Sequence, residues 1–490
     1  MPVHTRFEPA GDYRLFLGGQ WRQPAGAFEA IDPSTGKPWA VLGQASAEQA
    51  GEAVAAARTA LRTWRRSTVA NRQRILWQIA DRIEADPDRW ARLLATENGR
   101  PIREASVADV PDSAAIFRFF SGLTRDLRGD QVPVEDPHSL VYSTREPLGV
   151  VAAVLPWNSP LITLANKIAP ALAAGNTVVV KPSEFATASV LEFCALVEDL
   201  LPPGVLNVVS GGPETGAALV SHPDVALVTL TGGGPTARRI MAGAASALTP
   251  SLMELGGKGA LIVAHDADLD RAVTDAVNGI YLANGEACVA ASRLLLHESI
   301  AEEFLGRFAA IADSIRVGDA LDESTQLGPL VSRQHHERVL AHLARARTEG
   351  VRVLTGDAPV GSDGFFVRPT LLHDTSGGAS VLSEEIFGPV TVAETFTGYD
   401  DAVARANNTP YGLAAGVWTA DLTRAHLIAR ELDAGIVWVN KWFDLPAGVP
   451  MGGVKASGFG RELCWETLLQ YSAAKVVNIG LGAQRVSLWG

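Results

Sequence analysis

The chain has 490 residues, 47% of them apolar and 20% charged, with a formal net charge of −12. That length exceeds what one hydrophobic core supports, which predicts two or three packing units, and the composition excludes a disordered chain. The acidic balance argues against a nucleic-acid partner and against an anionic membrane surface.

In chain order, the start M-P-V-H-T-R-F-E-P-A-G-D-Y has no apolar core and does not read as a secretory signal. Apolar residues at helical spacing in Ser46 to Trp64 and Ala70 to Asn98, among them Ile75, Ile79, Ile83 and Leu93, predict surface-covering helices. Leu148 to Asn166 carries no charge over a length that approaches a bilayer span. Pro156, Asn158, Pro160 and Asn166 interrupt it, so a buried strand, a loop and a helix are expected there rather than a membrane segment. Gly149 to Leu155, Thr177 to Val180, Val205 to Val209 and Ala226 to Leu230 then read as buried strands, with helices at Thr187 to Leu201 and Thr236 to Ala247. This alternation implies a mostly parallel sheet with ligand chemistry at the carboxyl ends of its strands.

A second alternating set begins near Gly259. Its strand candidates are Leu261 to Ala264, Leu294 to Leu296, Val351 to Leu354 and Gly435 to Val439, and its helices Asp270 to Ala283, Glu302 to Ile315 and Arg333 to Glu349. Val141 to Arg145 and Ala474 to Asn478 fall outside both units and read as strands of an arm that pairs with another subunit.

Four stretches carry candidate chemistry. Lys181-Pro182-Ser183-Glu184 ends a strand and offers a cation and a carboxylate for ribose hydroxyls, although taken in isolation the stretch favours a capping turn with a solvated ion pair. Gly232-Gly233-Gly234-Pro235-Thr236-Ala237 fits the loose dinucleotide fingerprint, a pattern that also occurs as plain structural punctuation. As a strict fingerprint it would ask for an acidic ribose ligand about 20 residues on, and Glu254 is the nearest candidate. Met253-Glu254-Leu255-Gly256-Gly257-Lys258 sets a carboxylate between apolar neighbours, a setting suited to a general base, or equally to a hinge. Ala283 to Arg293, A-N-G-E-A-C-V-A-A-S-R, places one thiol among small residues. A free cysteine is most often an inert buried one. Cys194, Cys288 and Cys464 are too few and too scattered for a disulfide framework or a Cys-rich metal site, which predicts a reducing, cytoplasmic setting and no metal.

The runs E-P-L-G-V-V-A-A-V-L-P-W-N from Glu146, K-P-S-E from Lys181, M-E-L-G-G-K from Met253, G-E-A-C from Gly285, E-E-I-F-G-P-V from Glu384 and P-M-G-G-V-K-A-S-G-F-G-R-E from Pro450 closely resemble the aldehyde dehydrogenase superfamily, in order and spacing. The resemblance spans nearly the whole chain. It implies an α/β fold with a Rossmann-like cofactor domain (1–125 and 146–255), an α/β catalytic domain (256–449) and a small bridging β-strand oligomerisation arm (126–145 and 466–490), in a homodimer or homotetramer.

By the same resemblance, Cys288 is the nucleophile toward a small-molecule aldehyde, Asn158 and the Cys288 N–H hold the oxyanion, and Glu254 activates the water that hydrolyses the thioester. Lys181 and Glu184 match the adenosine-ribose contacts and Glu385 and Phe387 the nicotinamide contacts. Trp157, Ser183, Gly232, Gly233 and Leu255 complete the cofactor surface. Glu184 favours NAD, with NADP as the alternative. Ser159, Ile162, Thr163, Asn166, Tyr281, Ala287, Val289, Trp442 and Phe443 are expected to line the aldehyde entrance, and small polar residues at Ser159 and Asn166 suggest a neutral aromatic or medium-chain aldehyde. Departures from the family pattern are Gly233 for a serine, Ala283 for an asparagine, Ala237 for a glycine, and Glu286 for a glutamine, the last expected to add negative charge beside the thiol. Two other readings of such a chain are a CoA-acylating enzyme and a crystallin-like structural protein. The first is disfavoured by Glu254, the second by the joint presence of Cys288, Asn158 and Glu254.

Overall fold

Local signals account for the first helices. Ser46 and Gln49 form a capping box ahead of Ala47–Trp64, whose buried face is Ala50, Ala53, Val54, Ala57, Ala60 and Trp64. The expected stretch from Ala70 to Asn98 divides into Val69–Glu84 and Pro87–Asn98, because Asp86 caps the second helix and Pro87 opens it. The computed structural model describes residues 3–482, apart from positions 10, 359 and 362, together with 488 and 489. Positions 1, 2 and 10 of the expected cofactor domain, 359 and 362 of the catalytic domain, and 483–487 and 490 of the arm lie outside the described residues.

The uncharged stretch becomes a buried strand, Val150–Val154, a loop, and the helix Pro160–Ala174. Among the described residues no helix is long and apolar enough to cross a membrane. The strand belongs to an eight-stranded sheet in the order Gly458–Phe459, Ser251–Glu254, Val225–Thr231, Val150–Val154, Thr177–Lys181, Leu206–Val208, Leu15–Leu17, Gln20–Arg22. Its central strands are parallel, and register aligns Leu230 with Val154, Val154 with Lys181, and Thr231 with Glu254. Four carboxyl ends therefore lie along one edge, and Trp157, Asn158, Ser183, Glu184, Gly232, Gly233 and Leu255 follow directly from them.

The second sheet has seven strands in the order Arg352–Val353, Thr370–His373, Val390–Phe396, Arg293–His297, Ala260–Val263, Ala414–Trp418, Ile436–Val439, all parallel except the first. Here the amino ends matter, since Ala260 pairs with Arg293 and Ala415, and Arg293 with Val392. The segments 255–259, 285–292 and 384–389, which enter this edge, carry the remaining motif residues. Because the chain passes from Glu254 at the end of one sheet to Ala260 at the start of the other, the carboxyl edge of the first sheet and the amino edge of the second share the same loops.

Several strands were not among the expected ones, including Leu15–Leu17, Gln20–Arg22 and Gly458–Phe459 at the edges of the first sheet, its strand Ser251–Glu254, and Thr370–His373, Val390–Phe396 and Ala414–Trp418 within the second. In Val390–Phe396 the run is broken by Thr391, Glu394 and Thr395, and in Ala414–Trp418 by Ala-Ala-Gly, so neither shows the apolar run that marks a buried strand. A third, antiparallel sheet joins Ser472–Gly480, Ser139–Pro147 and Gln131–Val132, longer at the Pro147 end than the expected arm strand. Val476 and Ile479 on its edge strand are exposed.

Candidate active site around Cys288

The loop that carries Cys288 is held by backbone strain and by one amide. After helix Leu269–Tyr281 the chain takes left-handed φ values at Ala283 (57°), Asn284 (57°) and Gly285 (71°). A Cβ at Gly285 would lie 2.3 Å from the carbonyl carbon of Gly388, so only glycine fits. The Asn284 amide nitrogen donates to the carbonyls of Gly99 (2.9 Å) and Pro329 (3.0 Å), and its oxygen accepts from Gly328 N–H (2.7 Å). Asn284 thus latches the loop to two distant segments, a role sequence reasoning missed because it looked for asparagine at position 283. Ala287 to Ala290 close a turn, Ala290 N–H to Ala287 carbonyl at 3.1 Å, with the half-buried Cys288 inside it.

Asn158 lies against the same loop. Its amide nitrogen donates to the Glu286 carbonyl at 2.7 Å, which uses one of its two N–H groups. Its own carbonyl accepts from the buried Arg100 guanidinium (2.9 Å), and the Trp157 carbonyl accepts from the Asn98 amide (3.1 Å). Arg100 also reaches the Ser159 hydroxyl at 2.8 Å and pairs with Asp109 at 3.2 Å. The sequence reading did not single out Asn98 or Arg100. Their one local signal is polar residues around the left-handed Gly99 that ends a helix.

Of the expected entrance residues, Ser159 is tethered to Arg100, Thr163 donates its hydroxyl to the Ser159 carbonyl (2.8 Å), and Ile162 is half-buried. Asn166 is buried, with no hydrogen bond to its side-chain oxygen. Ala287, Cys288 and Phe443 are half-buried, each packed against the apolar cluster of the second unit, and Val289 is buried in that cluster. The aromatic wall expected from Tyr281 and Trp442 is corrected: Tyr281 is buried against Phe308, ring centroids 5.8 Å apart, and the Trp442 ring is packed between glycines of the second unit.

Three carboxyl groups surround the loop. Glu254 is buried at its strand end and no protein group donates to either oxygen. Burial first, then Glu462, hold its carboxyl well above the usual range, against the opposing pull of Lys167 and Arg461. Glu385 accepts from Gly257 N–H at 2.9 Å and fills the space where a Cβ at Gly256 would sit, 2.1 Å from its oxygen. Burial raises it as well. The Cys288 thiol is pushed up to about 12 by burial, then by Glu385 and Glu254. The Glu286 carboxylate, expected beside the thiol, accepts from Val331 N–H at 3.0 Å and lies 3.5 Å from His335, and the leading charges on the thiol are Glu385 and Glu254. The segment 331–335 supplies a partner, so the side chain that sequence proximity aims at Cys288 is spent elsewhere.

The carboxyl edge of the first sheet has features that suit a dinucleotide. Helix Gly234–Ser246 begins after Gly233 with no side-chain cap, and a Cβ at Gly233 would meet only Pro235 at 3.9 Å, so free N–H groups and open space coincide where a phosphate would bind. The buried Lys181 ammonium donates to the Pro182 carbonyl (2.8 Å), with the part-exposed Glu184 carboxylate 3.9 Å away. The Ser183 hydroxyl accepts from Phe185 N–H at 3.3 Å. The Trp157 and Phe387 rings meet edge to face at 5.3 Å, and His335 donates to the Phe387 carbonyl at 2.6 Å, holding that residue in a left-handed conformation (φ 60°). Burial pushes His335 down to about 4, so its ring is neutral. Leu255 N–H bonds the Ser457 carbonyl at 3.0 Å. Among the described residues no group of three His, Cys, Asp or Glu side chains is placed to hold a metal ion. A cavity of about 1050 Å³ beside Thr5, Phe7, Tyr13 and Trp21 is lined by other side chains, and three of its arginines are paired, Arg6 with Asp32 and Asp319, Arg89 with Glu192 and Arg92 with Asp88.

Comparison with known proteins bears on this arrangement. The sequence profile of the Aldehyde dehydrogenase family matches residues 21–477. The chain is 40% identical over 480 residues to (Z)-2-((N-methylformamido)methylene)-5-hydroxybutyrolactone dehydrogenase of Acinetobacter baylyi, covering 97% of this chain and 98% of the relative. The crystal structure of PnpE from Pseudomonas sp. WBC-3 superposes with a TM-score of 0.95 at 40% identity, over 98% of this chain and 99% of the other, and PnpE is also known in complex with nicotinamide adenine dinucleotide. The NAD+ complex of aldehyde dehydrogenase from Bacillus cereus superposes with a TM-score of 0.96 at 35% identity, over 98% and 100% of the two chains.

Proposed function

The chain belongs to the aldehyde dehydrogenase family and is an NAD(P)-dependent aldehyde dehydrogenase, and we propose that it oxidises its aldehyde through a thioester on Cys288 that water, activated by Glu254, hydrolyses. One observation carries the assignment. Glu254 is a buried carboxylate that accepts no hydrogen bond from the protein, and it acts electrostatically on a thiol held in a strained turn. A raised carboxyl can take the thiol proton near neutral pH and later that of a water.

The steps balance as follows. Cys288 Sγ bonds to the aldehyde carbon while the thiol proton passes to Glu254. The oxygen becomes an oxyanion beside the second Asn158 N–H and the Cys288 N–H, whose positions are set beforehand by the Glu286 carbonyl and the turn. When bound, NAD accepts the hydride released from that carbon. Glu254 gives up the thiol proton to solvent and then takes a proton from the water that attacks the thioester; as the tetrahedral adduct collapses, the C–S bond breaks, the acid leaves, and that second proton returns to the Cys288 sulfur.

For the cofactor, Lys181 and Glu184 would hold the adenosine ribose, Gly232 and Gly233 the phosphates, Trp157, Ser183 and Leu255 the surrounding surface, and Glu385 and Phe387 the nicotinamide end. The part-exposed Glu184 carboxylate supports NAD as the preferred form. We place the cofactor domain at 1–125 and 146–255, the catalytic domain at 256–449, and an oligomerisation arm at 126–145 and 466–490, joining a homodimer or homotetramer. Three free cysteines support a reducing, cytoplasmic setting. The substrate proposed is a neutral aromatic or medium-chain aldehyde. The Asn166 oxygen, without a partner among the described residues, favours one with a hydrogen-bond donor, and the lactone for which the A. baylyi relative is named carries polar groups.

The test is Cys288→Ala with mass spectrometry of the wild-type protein after an aldehyde and NAD are mixed and quenched. NADH formation should vanish in the variant with NAD affinity retained, and an acyl adduct should map to Cys288. Residual turnover in the variant, or an adduct on Cys194 or Cys464, would overturn the assignment.

A further inference from the structure

We infer that Trp442 is a positioning residue for the nucleophile, its indole N–H holding the turn that carries Cys288 while three glycines make room for its ring. The inference rests on Cys288 as the nucleophile. In a four-residue turn such as Ala287 to Ala290 the two central carbonyls find no partner inside the turn. The first, of Cys288, lies against Gly257, where an added Cβ would come within 2.5 Å of it. The second, of the buried Val289, accepts from Trp442 Nε1 at 3.0 Å. An indole nitrogen only donates, and a buried carbonyl left without a donor is costly, so this bond favours one orientation of the turn.

The fit of the ring is written into three positions. A Cβ at Gly279 would lie 2.9 Å from Trp442 Cδ1, at Gly416 2.7 Å from Cζ3, and at Gly259 3.3 Å from Cζ2. None of the three has a left-handed φ, so backbone freedom does not account for them, and glycine weakens the interior of a helix or strand such as Leu269–Tyr281 or Ala414–Trp418. Space for the indole does account for Gly279 and Gly416, whereas at Gly259 a Cβ would meet the Ala290 carbonyl first, at 2.6 Å, with the indole behind it. The ring is also fixed from its own side: Asn440 and Phe443 take left-handed φ values of 54° and 64°, Asn440 exchanges two 3.0 Å hydrogen bonds with Thr419, and the Trp438 ring lies 4.9 Å away. Trp442 therefore links the loop after strand Ile436–Val439 to the nucleophile turn.

The experiment compares Trp442→Phe, which keeps an aromatic ring and loses the donor, with Trp442→His, which restores a ring N–H. The readouts are kcat, KM for NAD, and the pH dependence of Cys288 alkylation by iodoacetamide, with the labelled residue identified by mass spectrometry. Trp442→Phe should lower kcat about tenfold and shift the alkylation profile, with KM for NAD unchanged, and Trp442→His should recover part of both. Gly279→Ala, which presses a methyl on the ring, should reproduce the Phe phenotype. Wild-type kcat and alkylation in folded Trp442→Phe, or in Gly279→Ala, would overturn the inference. Labelling of Cys194 or Cys464 in the wild-type protein would overturn the nucleophile assignment instead, and this inference with it.

Discussion

Glu254 and Glu286 are both buried and both have carboxyls raised by burial, yet Glu286 is held by a backbone donor, whereas Glu254 is without one among the described residues and is a leading cause of the raised thiol. Glu286, two positions before the cysteine, accepts from Val331 N–H and sits beside the neutral His335. Glu254, remote in sequence, receives no hydrogen bond and contributes to the thiol's raised value. A buried carboxyl that is satisfied is part of the scaffold. One that is left without a partner costs stability and stays reactive, which is the condition of a general base.

The comparison is tested most severely by Glu254→Gln. Removing the base should lower kcat by about 10²–10⁴-fold with NAD affinity nearly unchanged. In the wild-type protein both Cys288 and Glu254 must lose protons from raised values, so kcat should rise with pH from neutral into the alkaline range. The Gln variant should lose the part of that rise that belongs to the carboxyl. Fluorescence titration with NAD and stopped-flow NADH formation across pH separate the outcomes: strongly weakened NAD binding with an intact pH profile would return Glu254 to the ribose-ligand reading that the Gly232 to Ala237 fingerprint suggests.

The same contrast explains what was readable beforehand. Lys181, Glu254 and Gly232 sit at or just beyond strand ends, where the run of apolar residues and the turn that follows are local signals, and the strands Val150–Val154, Thr177–Lys181 and Val225–Thr231 were placed within one or two residues. Asn284, Arg100 and His335 escaped notice because each acts on a backbone carbonyl far along the chain, Gly99 and Pro329, Asn158, and Phe387 respectively. Trp442 was legible as an aromatic near the site but not as a core residue, since its place depends on glycines from three other elements. The direction of Glu286 was misread for a related reason: proximity in sequence says nothing of a partner supplied by the segment 331–335.

A third carboxylate extends the contrast to the surface. Glu184 is part-exposed beside Lys181, so its charge is screened and its influence on a bound ribose phosphate is of order 1 kcal/mol. Glu184→Ser should therefore improve the ratio of kcat/KM with NADP to that with NAD by about tenfold, through KM. An unchanged ratio would show that the adenosine ribose is held elsewhere.

The smallest catalytic effect is expected at Glu286, and it is the sharpest test of the comparison. Glutamine can still accept from Val331 N–H through its amide oxygen, and the side chain stays turned toward the segment 331–335, so Glu286→Gln should keep kcat within about threefold of wild type. Stability should move in the opposite sense. A carboxyl whose folded pKa lies above its unfolded value of about 4.3 binds more protons in the folded state, so its stabilising contribution is complete below that value and declines as pH rises toward the folded one. Glutamine has no such decline, so Glu286→Gln should gain in Tm relative to wild type as pH is raised from about 4 through neutrality. Glu254→Gln should show the same relative gain, because its carboxyl is raised for the same leading reason, while losing its activity. Thermal denaturation and steady-state rates of both variants over that pH range form the measurement. If Glu286→Gln lost activity as Glu254→Gln does, the partner supplied by Val331 would not be what divides the two carboxylates, and the charge nearest the thiol in sequence would have to be given a part in the reaction.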